Sequence, residues 1–105
     1  MTKRHKNILQ VHAKNPPVVE LDSAAHAAYV RFSNEKVVRT VVIDVNRCLV
    51  TADLAQNGDV IGVELVGVGE FGIEKLLEKA GIRGVSDGML QSTRYVAANV
   101  EPVAC

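Results

Sequence analysis

The segment Leu49-Val50-Thr51-Ala52-Asp53-Leu54-Ala55-Gln56-Asn57-Gly58-Asp59-Val60-Ile61-Gly62-Val63-Glu64-Leu65-Val66 decides the fold. Two alternating runs flank Asn57-Gly58, a dipeptide that favours the positive backbone angles of a tight hairpin loop. With a two-residue loop, Leu54 faces Ile61, Ala52 faces Val63 and Val50 faces Leu65. One side of the ribbon is then apolar, while Thr51, Asp53 and Glu64 share the other. Such a ribbon has one face for a core and one for water or a partner.

Upstream, Val18 to Leu21 reads as a short strand that turns at Asp22-Ser23. Ala27 to Phe32 and Val37 to Asp44 read as a second hairpin around Ser33-Asn34-Glu35-Lys36. The β-branched density of Val37 to Val45 is the strongest strand signal in the chain. Downstream the period changes. Ile73, Leu76, Leu77 and Ala80 follow helical spacing, which predicts a helix from about Phe71 to Ala80. Gly81 stands where a left-handed cap is expected, and Ile82 closes it with an apolar contact.

The expected fold is α+β: a small, mainly antiparallel sheet of about five strands in two hairpins, followed by one amphipathic helix. Residues 1 to 17 form a basic N-terminal arm ended by Pro16-Pro17, with a strand near Ile8 to Val11. Residues 18 to 82 form the single domain. Residues 83 to 105 are weakly patterned, and are expected as a tail that is mobile or packed on a neighbouring chain.

Composition narrows the function classes. Lys plus Arg and Asp plus Glu number 12 each, so overall charge gives no bias toward nucleic acid, membrane or acidic substrates. Lys3, Arg4, Lys6 and Lys14 concentrate positive charge in the arm, a weak nucleic-acid signal without interleaved aromatics. Cys48 and Cys105 suggest no disulfide framework, and a reduced, cytoplasmic setting fits best. Ile8 to Ala13 is too short and polar for a signal-peptide core, and no run approaches membrane-spanning length.

From Val18 to Leu65 the chain resembles the YuzE-like family of small uncharacterised bacterial proteins. The resemblance rests on Leu21-Asp22-Ser23 leading to the strand Ala27-Ala28-Tyr29-Val30-Arg31-Phe32, on Val38-Arg39-Thr40, and on Asp53, Asn57-Gly58 and Gly62-Val63-Glu64-Leu65. Relatives usually carry acids where this chain has His26 and Ala55. The resemblance implies a compact β-rich fold with a helix and a toxin–antitoxin type of genetic setting. It implies no established chemistry.

Three motifs invite functional readings. Gly67-Val68-Gly69-Glu70-Phe71-Gly72 matches the dinucleotide fingerprint, with Asp87 twenty residues after Gly67. Its preceding strand belongs to an antiparallel hairpin, and Glu70 puts negative charge where phosphate would sit, so a plain strand-to-helix connection is favoured. Asp53 to Gly58 echoes a calcium loop but lacks a ligand at Ala55. The set Asp22, His26, Tyr29, Asp53 and Glu64 is the one polar constellation in which a His beside carboxylates could serve as a base or hold a metal.

The sequence therefore favours a non-enzymatic protein-interaction module, antitoxin-like, acting as a homo-oligomer with a dimer preferred. A heterologous protein partner is compatible with this reading. No cofactor or metal is expected, and nucleic acid is disfavoured as a partner. The alternative is a small-ligand or metal-assisted enzyme using Asp22, His26, Asp53 and Glu64. A third reading is weak nucleic-acid binding through Lys3, Arg4, Lys6 and Lys14.

Overall fold

The computed structural model describes residues 9–45, 49–67 and 72–97. In chain order these form β1 (Leu9–Gln10), β2 (Val18–Asp22), β3 (Ala27–Arg31), β4 (Arg39–Asp44), β5 (Leu49–Leu54) and β6 (Val60–Val66). They continue with α1 (Ile73–Ala80), β7 (Ile82–Arg83), α2 (Asp87–Gln91) and β8 (Arg94–Ala97). The fold is mixed α+β, and its main sheet has six strands in the order β4-β5-β6-β3-β2-β8. All neighbours in it are antiparallel except β2 and β8. A separate parallel pair joins β1 to β7.

The β5–β6 hairpin forms as its alternation predicts, with Ala52 opposite Val63 and Val50 opposite Leu65. Its loop is different. Gly58 N–H donates to Ala55 O (2.9 Å) and Ala55 N–H to Asp59 O (2.9 Å), leaving Gln56, Asn57 and Gly58 as a three-residue loop. A two-residue loop of the expected type needs both Asn57 and Gly58 at positive φ. Only Gly58 (φ 94°) adopts it. Asn57 instead accepts from Asp59 N–H through its side-chain oxygen (2.9 Å). The longer loop shifts the register, so Leu54 lies opposite Val60, and Ile61 becomes the extra residue of a bulge.

The hairpin expected between β3 and β4 does not form. β3 pairs with β2 and β6, while β4 pairs with β5 at the sheet edge. Sequence neighbours usually pair, but here the β5–β6 ribbon inserts between them in a Greek-key path. The bulge assists the departure: Ile61 O accepts from Phe32 N–H (2.7 Å) and Ser33 N–H (3.3 Å) where the chain leaves β3. It rejoins the sheet when Val38 N–H donates to Leu54 O (2.8 Å).

The core lies on one face of the sheet. Val19, Val30, Ala52 and Val63 are fully buried there, and Ile73, Leu76 and Leu77 of α1 belong to the same cluster. Gly81 caps α1 with φ 72°, and Ile82 behind it is buried. The helix begins at Ile73; Phe71, its expected start, lies outside the described residues. Val11, from the expected arm, is buried in the core, and its N–H donates to Arg83 O (2.8 Å). Part of the expected tail also folds onto its own chain. Ser86 Oγ accepts from Met89 N–H (3.2 Å) at the start of α2, and β8 lies parallel to β2. The described residues thus contain two helices rather than one, and a six-stranded main sheet rather than five. No helix among them is long and apolar enough to cross a membrane.

Candidate functional site

Strand alternation sends Val19, Val30, Ala52 and Val63 to the core and their neighbours to the outer face. Register aligns those neighbours in rows. One row runs Thr40, Asp53, Gly62, Arg31, Val18 and Arg94 across the six strands. The next runs Val42, Thr51, Glu64, Tyr29, Glu20 and Val96. A third carries Leu49, Val66, Ala27 and Asp22.

Tyr29 organises the centre of this face. From β3 its ring lies over Gly62 of β6, and its hydroxyl donates to Asp53 Oδ2 (2.8 Å) on β5. Thr40 on β4 donates to the other oxygen, Asp53 Oδ1 (2.7 Å). Three strands are tied across a fourth, which contributes only the absence of a side chain. A Cβ at Gly62 would clash with the Tyr29 hydroxyl and stand 2.7 Å from ring atom Cε2. On the other side the Arg31 guanidinium sits 5.1 Å from the Tyr29 ring centre and donates to Glu20 Oε2 (3.2 Å).

Burial pushes the Tyr29 phenol well above the ordinary tyrosine range. Its hydrogen bond to Asp53 and the charge of that carboxylate add to the rise, Arg31 opposes it, and Glu20 adds slightly. The phenol is therefore held neutral as a donor. A folded-state pKa above the unfolded value means stability that is full below about pH 10 and declines as pH rises beyond it. Alkaline unfolding curves should show this decline, and Tyr29→Phe should flatten it. A decline of the same size in Tyr29→Phe would assign it to other groups.

The sequence-derived constellation divides here. Tyr29 and Asp53 meet, and Glu64 lies opposite Tyr29 in the register but stays exposed. Asp22 and His26 instead build the β2–β3 turn. Asp22 Oδ1 accepts from Ala25 N–H (3.1 Å), and His26 takes a left-handed φ of 53°. Asp22 lies three strands and two rows from Asp53, about 14 Å across and about 13 Å along the sheet. Among the described residues no group of three or more His, Cys, Asp or Glu side chains is placed to hold a metal ion. Lys14 is exposed, whereas Lys3, Arg4, Lys6, Cys48 and the centre of the glycine motif lie outside the described residues. Gly62, Arg31 and Glu20 were not singled out by sequence reading as site residues. The place of Gly62 beneath Tyr29 depends on pairing β3 with β6, and the Arg31–Glu20 contact on the register of β2 against β3.

Compared with known proteins, the chain matches no family model, no curated protein and no solved structure.

Proposed function

We propose that the protein is a non-enzymatic interaction module that self-associates through its β4 edge and the adjoining outer face. One observation carries this reading: Val42 (62 % exposed), Leu49 (42 %) and Val66 (37 %) form an apolar group on β4, β5 and β6, where β4 is the end strand of the sheet among the described residues. Contiguous exposed apolar surface and open edges of this kind favour association. A twofold axis at Val42 would bring it against its own copy and pair the two edges antiparallel. The Tyr29–Asp53–Thr40 tie suits such a role. It stiffens the strands behind the contact, and both Asp53 oxygens already accept hydroxyl donors.

We also infer kinship with the YuzE-like family, whose toxin–antitoxin type of setting makes a heterologous protein the natural further partner. Tyr29, Thr40, Asp53 and Gly62, which carry the resemblance, meet in one network and so share a structural reason.

Light scattering over a concentration series tests the assembly. The wild type is expected at twice the chain mass of 11.3 kDa. Val42→Lys, which places charge on the edge, should weaken association by roughly tenfold or more while leaving the fold intact. A wild type that stays at the single-chain mass throughout would refute the self-association.

A further inference from the structure

A cleft of about 550 Å³ opens at the other end of the first outer row, between residues 12–16, the start of β2, the end of β3 and the connection that follows it. That volume falls within the range of small-molecule sites. Lys14 and Arg31 supply two permanent positive charges to its lining, with His12 a third basic group; Glu35 is the carboxylate within the lining, while Glu20 pairs with Arg31 and Asp59 with His12 from beside it. Arg94 lies in the same row as Arg31, two strands away or about 10 Å. Asn15, Ser33 and Asn34 add uncharged donors and acceptors, and Pro16, Val18 and Phe32 give apolar wall.

Two of the basic groups are already held in place. His12 Nδ1 lies 2.9 Å from Asp59 Oδ1 on the β5–β6 loop, which fixes the ring. Arg31 is held by Glu20 and by the Tyr29 ring. A guanidinium has five N–H donors, and the bond to Glu20 uses one of them, which leaves donors for an anion. Lys14, also in the lining, adds a mobile point charge. A preset guanidinium, a lysine and polar amides around a nucleotide-sized space match the needs of a phosphomonoester: charge for the phosphate, and amides and apolar wall for its organic part.

We propose that this cleft binds a small phosphomonoester of about nucleotide size. The site shares no residue with the β4 edge and does not depend on the self-association. The test is calorimetric titration of the full chain with adenosine monophosphate, beside a single-stranded oligonucleotide lacking a terminal phosphate. Saturable binding of the monophosphate, one per chain, is expected. Lys14→Gln should weaken it by roughly tenfold or more, and Arg31→Lys, which keeps the charge but not the fork, by a similar factor. Lys14 is exposed and makes no contact in the core, so its variant should keep the wild-type melting curve. No saturable heat at millimolar monophosphate, binding indifferent to Lys14→Gln, or binding of the oligonucleotide alone would each overturn the proposal.

Discussion

Leu77→Asp is expected to leave the protein largely unfolded, or to lower its melting temperature by roughly 20 °C or more. Leu77 is buried in the cluster that joins α1 to the sheet, with Ile73 and Leu76 beside it. Truncating such a leucine to alanine typically costs about 2–5 kcal/mol, and an aspartate adds the desolvation of a carboxyl group. Natural domains have about 5–15 kcal/mol in total, so the loss consumes much of the stability. The control is Lys75→Asp, two residues earlier on the exposed side of the same helix, where a change within about 1 kcal/mol is expected. A Leu77→Asp melting curve that overlays the wild type would mean that α1 does not pack on the sheet.

That helix was legible in the sequence because its information is local. Ile73, Leu76, Leu77 and Ala80 repeat at the helical period, and Gly81 stops it with a backbone angle that glycine adopts freely. Much of β5 and β6 was legible for the same reason, since short-range alternation fixed Ala52 against Val63 and Val50 against Leu65. The failures lie where information is non-local or where one dipeptide serves two geometries. Asn57-Gly58 suits a two-residue loop and also a three-residue one, and the difference moved Ile61 into a bulge. Nothing within β3 or β4 reveals that another hairpin will separate them. β8 is four residues long and pairs in parallel with a strand more than seventy positions earlier, so no periodicity announces it. Gly88 within α2 likewise obscured a helix of only five residues, although Ser86 supplied its cap. The candidate site inherits these limits. Tyr29 and Asp53 stand out as residue types, but their meeting requires β3 beside β6 and β6 beside β5.

Gly62→Ala should therefore be destabilising by about 2–3 kcal/mol, with a fall in melting temperature of roughly 10 °C or more. The backbone gives no reason for such a loss. Gly62 has no left-handed angle, and alanine in a strand interior is ordinarily better than glycine by about 0.5–1 kcal/mol. The penalty comes from Tyr29, whose hydroxyl and ring lie too close to the new Cβ. If the ring moves, the 2.8 Å bond to Asp53 breaks, Asp53 keeps only Thr40, and Arg31 loses the ring beneath it. The phenol should also titrate nearer the ordinary tyrosine range, since the burial and the Asp53 contact that raise its pKa are lost together. A double-mutant cycle isolates the cause. In a Tyr29→Ala background the same Gly62→Ala change should be neutral or mildly stabilising, because no ring remains to be displaced. Tyr29→Phe should not rescue it, because ring carbon Cε2 also crowds the new methyl group. An equal loss from Gly62→Ala with and without the Tyr29 ring would place the strain in the β6 backbone. The tie across β3, β5 and β4 would then not be what requires a glycine at this position.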